Sequence, residues 1–110
     1  WIWLTVSGMA SSQWKVWEKE VANDLGGSRT GPTGKATPDV SDLPVPFAPE
    51  CKYGALSLTK RAMEQAKRNA KGDPWGLFIR EKMTGKRVVV LDYAFFLTMW
   101  NSYVKDKTNE

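Results

Sequence analysis

ATPDVSDLPVPFAPECKY, residues 36–53, places three ionisable side chains, Asp39, Glu50 and Lys52, in two neighbouring strands. Thr37 to Val40 reads as the first strand and carries Asp39. Ser41 to Pro46 contains two prolines and makes a connection or an edge. Phe47 to Tyr53 reads as the second strand, where successive side chains point to opposite faces. Glu50 and Lys52 therefore share one face, and Pro49, Cys51 and Tyr53 share the other. A carboxylate and an ammonium group stand side by side, and Cys51 reads as a small buried hydrophobe rather than a nucleophile.

Upstream, Ser11 or Ser12 can cap a helix from about Gln13 to Leu25, which Gly26 and Gly27 would terminate. Trp14, Trp17, Val21, Ala22 and Leu25 form its apolar stripe. Glu18 falls inside that stripe, whereas Lys19 and Glu20 point elsewhere. A carboxylate aimed at a core needs a partner; a partly exposed Glu at the stripe's edge is the plainer reading. Ser28 to Thr30 can form a short strand. GPTGK, residues 31–35, reads as a turn or mobile loop. Its small residues and Lys35 would let a phosphate backbone approach, and a simple hairpin loop is equally allowed. Residues 1–8 precede Met9 and form too short an apolar run to span a membrane or serve as a signal-peptide core. They read as a segment upstream of a natural start at Met9, or as an edge strand, leaving 9–110 as one domain.

Downstream, Gly54 ends the second strand and Ser57 is a plausible cap for a helix from about Leu58 to Lys71. Leu58, Ala62, Met63, Ala66 and Ala70 make its apolar face. Lys60, Arg61, Glu64, Lys67, Arg68 and Lys71 lie opposite, five of the six basic. Such a face is usually a solvated surface, and phosphate contact is its functional reading. Gln65 lies between the two faces, on the same side as Leu58 and Asn69. Trp75 to Arg80 and Arg87 to Leu91 are strand-like runs joined by a hairpin at Thr84-Gly85-Lys86. Asp92 can cap a last helix from Tyr93 to about Val104, apolar nearly all round, with a fraying tail from Lys105. A domain this small can hardly bury such a helix, so a homodimer through it is expected.

With 110 residues the chain has room for one core, and its 42% apolar and 25% charged composition is that of a globular domain. A formal charge of +4 favours a polyanionic partner. The absence of His excludes His-based triads and His-ligated zinc or haem. The single Cys51 excludes an internal disulfide or thiolate cage and suits a reducing cytosol. Any metal must then sit on oxygen ligands, which suits Mg²⁺, Mn²⁺ or Ca²⁺.

Pro38-Asp39, a spacer of ten residues and Glu50-Cys51-Lys52 occur once each, in this order. The pattern resembles the PD-(D/E)XK nuclease superfamily, and within it the small Holliday-junction resolvases of archaeal and phage type. Glu18 in the first helix, Arg29 just after it and Gln65 in the helix after the Lys also match. The likeness covers roughly Trp14 to Leu91 and departs in the Pro-rich link from Leu43 to Pro49. It implies an α/β (α+β) fold with a restriction-endonuclease-like core. A central mixed sheet would be flanked by helices in the order α-β-β-β-α-β-β-α. It also implies that Asp39 and Glu50, with the Cys51 backbone carbonyl, hold Mg²⁺ or Mn²⁺. Lys52 would orient or deprotonate the attacking water or stabilise developing charge. Glu18 would contact the metal's ligands or be one itself, and Gln65 would position water or phosphate.

The expected function is a Mg²⁺-dependent DNA endonuclease of the prokaryotic or phage cytoplasm, dimeric and cutting branched DNA. Arg29, Lys35, Lys60, Arg61, Lys67, Arg68 and Lys71 would contact the DNA. A less selective nuclease for repair, restriction or phage DNA processing is the alternative among enzymes. A DNA-binding module that has lost catalysis is the alternative from another class.

Overall fold

The structure, a computed structural model, describes residues 2–31, 33–55 and 60–109, with side chains from Gln13 onward. Its elements are α1 (Ile2–Leu25), β1 (Ser28–Arg29), β2 (Val40–Ser41), β3 (Ala48–Gly54), α2 (Lys60–Ala70), β4 (Trp75–Glu81), β5 (Arg87–Leu91) and α3 (Tyr93–Thr108). The order read from the sequence holds, and the fold is α+β. A mixed sheet runs β3-β4-β5, and β1 and β2 form a separate antiparallel pair. The two motif strands therefore do not pair as a hairpin. Among the described residues, no helix is long and apolar enough to cross a membrane.

β3 runs parallel to β4, which requires a crossover, and α2 supplies it; β4 then turns back into β5. The register sets Glu50 beside Leu77, Cys51 beside Phe78 and Lys52 beside Ile79. Leu77 and Ile79 are buried on the face covered by α2, whose Ala66 and Ala70 are also buried. Small alanines let that helix lie close to the sheet. On the other face, Cys51 packs with Val40 and with Trp17, Val21 and Ala22 of α1. The alternation of β3 is thus realised, with Glu50 and Lys52 toward α2 and Cys51 toward α1. Burial holds the Cys51 thiol well above its usual range, with the nearby carboxylates of Asp39, Glu18 and Glu50 adding to the effect.

α1 ends where the glycines predict. Gly26 adopts φ 78°, and the Gly27 amide donates to the Ala22 carbonyl at 2.8 Å, while Gly26 donates to Asn23 at 3.3 Å. These are the two hydrogen bonds of a Schellman stop. Gly27 is also sterically required, because a Cβ there would lie 2.5 Å from the Ser41 carbonyl oxygen. The glycine lets the β1–β2 pair close against the end of α1.

Several expectations about the elements are corrected. α1 begins at Ile2, so residues 2–8 are helical rather than an edge strand, and Ser11 and Ser12 lie inside the helix rather than capping it. Local cap preference is weak against a continuing helical run. Trp14, expected in the core, is 42% exposed. The strand expected over Thr37 to Val40 reaches ladder pairing only at Val40–Ser41. α3 continues to Thr108, where the Asn109 amide closes onto the Lys105 carbonyl, so the last turn is formed. Asp92 stands at its start without a side-chain capping hydrogen bond. The Ser57 cap and Leu58 lie outside the described residues.

α3 has no buried residue. Phe95 stacks on Phe47 at 4.9 Å between ring centroids, which attaches the helix to the body. Phe96, Leu97, Trp100, Tyr103 and Val104 stay exposed.

Candidate functional site

Asp39 is fixed through its backbone and its side chain together. Its carbonyl accepts the Thr30 amide at 2.9 Å, and its own amide donates to the Pro49 carbonyl at 3.0 Å. Its Oδ2 accepts the Cys51 amide at 2.8 Å. β3 is an edge strand, and Pro49 and Cys51 present their backbone groups on the edge away from β4. Pro49 has no N–H to offer, so proline at this position removes no ladder bond. At Cys51 a carboxylate replaces a strand partner. The N–H and C=O of one strand residue leave on the same edge, so the Cys51 carbonyl lies on the Asp39 side.

Glu50 and Lys52 meet α2. Glu50 is 4% exposed, and its Oε2 accepts the Asn69 amide nitrogen at 3.2 Å. Lys52 Nζ donates to Gln65 Oε1 at 2.9 Å and stands 3.8 Å from Glu50 Oε1. Gln65 and Asn69 are one helical turn apart and so present their amides to the same side. Desolvation, followed by the Asp39 charge, raises the Glu50 carboxyl from its ordinary 4.5 to about 7. Asn69 and Lys52 oppose the shift, and a hydrogen bond with the Asp39 carboxyl adds to it.

Glu18 arrives from α1 and is 3% exposed. Arg29 Nε donates to its Oε1 at 2.6 Å, and the guanidinium lies over the Trp14 ring at 5.8 Å from the centroid. The inward carboxylate of the stripe therefore has the partner that its burial demands. Burial nevertheless leaves the Glu18 carboxyl above its ordinary range, against the lowering effect of Arg29.

One cavity of about 230 Å³ gathers these groups: Glu18, Asp39, Glu50, Gln65 and Asn69 line it, with Trp14, Arg29 and Lys35 at its walls. It lies at the open edge of β3, reached by α1 from one face and α2 from the other. Lys52 meets it only through Gln65 and Glu50. Arg61 and Arg68 line an adjoining cavity with Lys35, Gln65 and Asn69. Lys60, Lys67 and Lys71 line neither cavity. Lys60 instead stands 3.8 Å from Glu64 on the helix surface. Arg29, expected at DNA, is engaged with Glu18.

Asn69 and Trp14 are members of the site that were not picked out as such. Asn69 is four residues after Gln65, and Trp14 is four before Glu18, so helical spacing from a chosen residue leads to both.

Among the described residues, no group of three or more His, Cys, Asp or Glu side chains stands at metal-holding spacing. The donor set is smaller: the Asp39 and Glu50 carboxylates and, on the same edge, the Cys51 carbonyl. These are hard oxygen donors, and Mg²⁺ typically uses one or two carboxylates and keeps several waters. Among the described residues, Lys52 at 3.8 Å is the one cation paired with Glu50, so the carboxylate pair carries a surplus of negative charge that a divalent ion fits. Glu18, held by Arg29, fits a role beside such an ion better than as its ligand. Comparison of the chain with known protein families, curated proteins and solved structures returns no match.

Proposed function

We propose that this protein is a divalent-cation-dependent endodeoxyribonuclease of the PD-(D/E)XK type, acting as a homodimer on branched DNA in a prokaryotic or phage-infected cytoplasm. The observation that carries the reading is the convergence of Asp39 and Glu50 on one cavity with Gln65 and Asn69, Lys52 behind them and Arg61 and Arg68 next door. The α-β-β-β-α-β-β-α order supports a restriction-endonuclease-like core. Exposed aromatic residues along α3 support the dimer.

Asp39, Glu50 and the Cys51 carbonyl would hold Mg²⁺ or Mn²⁺. When bound, the ion supplies charge neutralisation at a phosphodiester and makes water more acidic. The protein's own groups do the positioning. Asn69 fixes the Glu50 carboxylate through its amide. Lys52 occupies the Gln65 carbonyl oxygen, which leaves the Gln65 amide nitrogen free to donate to a phosphoryl oxygen or a water. Lys52 itself would orient or deprotonate the attacking water, or balance charge developing on the phosphoryl oxygens. Arg29 neutralises Glu18, so the buried acid does not repel an incoming phosphate.

The test is nicking of labelled four-way junction, flap and linear duplex DNA in Mg²⁺, with Asp39→Asn as control. Symmetric junction cleavage lost in the variant is expected. Equal cutting of all three substrates would leave a less selective nuclease, and binding without any cutting would leave a DNA-binding module.

A further inference from the structure

The basic side of α2 is not one surface. At about 100° per residue, Arg61 and Arg68 project in nearly the same direction, next to Gln65 and Asn69. Lys60, Lys67 and Lys71 project from a sector turned roughly 90° away. The structure separates the two groups physically. Arg61 and Arg68 line a cavity of about 370 Å³ into which Lys35 also opens from the loop before β2. The lysines line neither that cavity nor the one at Asp39 and Glu50.

From this division we infer that Arg61, Arg68 and Lys35 form a binding subsite for a backbone phosphate adjoining the one to be cleaved, while Lys60, Lys67 and Lys71 lie outside the DNA track. The inference rests on the nuclease reading for the meaning of "cleaved" but not for the binding itself. Neither Arg61 nor Arg68 has an ion-pair partner among the described residues. Two guanidinium groups without an ion-pair partner face one cavity, and guanidinium matches a phosphate with two parallel hydrogen bonds. Lys35, Gln65 and Asn69 line both cavities, so the two spaces adjoin. A chain of phosphates at regular intervals fits this layout, with one group opposite Asp39 and Glu50 and its neighbour between the arginines.

The loop is built to present Lys35. Gly34 adopts φ 72°, and the Lys35 amide donates to Thr33 Oγ1 at 3.2 Å. Thr33 Oγ1 in turn contacts Thr37 Oγ1 at 3.3 Å, closing the loop onto itself. Lys35 then lines the same cavity as the arginines.

The experiment is fluorescence anisotropy with a labelled four-way junction in EDTA, which removes cleavage, across a series of salt concentrations. Wild type is compared with Arg61→Ala/Arg68→Ala and with Lys60→Ala/Lys67→Ala, which remove the same charge from exposed positions of the same helix. The arginine pair is expected to weaken binding about tenfold or more and to reduce the salt slope by about 1, while the lysine pair changes both far less. Equal losses in the two variants, at unchanged melting temperature, would overturn the subsite in favour of diffuse charge. Arginine-dependent binding by a protein that never cuts in Mg²⁺ would retain the subsite and reject the nuclease. Cutting that is indifferent to the arginines would do the reverse.

Discussion

The Asp39 carboxylate accepts the backbone amide of Cys51 at 2.8 Å, so one acid of the proposed site is also the strand partner that β3 lacks. One residue thus serves the site and the fold, and the two roles separate by substitution. Asp39→Asn retains an oxygen acceptor for Cys51 and removes the charge. Asp39→Ala leaves a buried amide without a partner, at a cost of about 1–3 kcal/mol. We expect both variants to lose Mg²⁺-dependent nicking but only Asp39→Ala to lose substantial stability in urea denaturation. An alanine variant as stable as wild type would show that water or a backbone shift replaces the bond.

Glu50 makes metal-free stability depend on pH. Its carboxyl is raised from 4.5 to about 7 by burial and by Asp39, so the folded protein holds a proton that the unfolded chain releases. The sign follows from linkage: this contribution is fully present below 4.5 and is lost as pH rises through about 7. The loss is on the order of 3 kcal/mol. Glu18 shifts in the same direction. In EDTA the protein should therefore be less stable at pH 8 than at pH 5, and Glu50→Gln should flatten much of that slope. Mg²⁺ should raise the melting temperature more at the higher pH, because the ion replaces the proton. A wild-type profile that rises with pH in EDTA would contradict this account of the pair.

The site was legible where one periodicity governs a residue. A period of two put Glu50 and Lys52 on one face and Cys51 on the other, and α2 and α1 cover those faces accordingly. Helical spacing likewise put Glu18 toward the core, where it is buried. What escaped were contacts between elements. Nothing local tells that Arg29 pairs with Glu18, because the pair forms only when β1 packs against α1. Trp14 has the spacing of a core residue, yet the stripe outruns the sheet, so Trp14 ends at the cavity wall under Arg29. Of the strand expected over Thr37 to Val40, Asp39 still makes backbone hydrogen bonds with Thr30 and Pro49, but the Cys51 amide goes to its side chain. The basic side of α2 reads as one face in the sequence, yet its arginines and lysines lie about a quarter-turn apart.

α3 yields a prediction about assembly. Phe96, Trp100 and Tyr103 form a row of ring contacts, with centroids 6.4 Å and 6.2 Å apart, on a helix with no buried residue. Exposed aromatic rows of this kind mark interfaces. Sedimentation should show a dimer that Trp100→Glu converts to a folded monomer with its melting transition retained. If the nuclease acts as a symmetric pair, that variant should still nick one strand but lose coordinated cleavage of both arms of a junction. A wild-type monomer at working concentrations would reject this role for α3.

The Lys52–Gln65 hydrogen bond, 2.9 Å long, joins two side chains whose proposed part in the chemistry is separable from stability by substitution. The Lys52 side chain is 40% exposed, so truncating it should barely alter stability. Lys52→Ala should nevertheless reduce the nicking rate by roughly two orders of magnitude, the scale of losing one proton-transfer or charge-stabilising group. Gln65→Glu makes the sharper comparison. It keeps an acceptor for Lys52 and turns the contact into an ion pair, but it removes the only N–H donors that Gln65 offers the cavity. Added negative charge beside Glu50 also repels phosphate. The expected result is weaker DNA binding in EDTA together with a larger loss of rate in Mg²⁺ at saturating DNA, and partial recovery of both in the double variant Lys52→Gln/Gln65→Lys, which restores a cation and an amide at exchanged positions. Unchanged rates for Lys52→Ala would remove the lysine from the chemistry and leave it only a tether for α2.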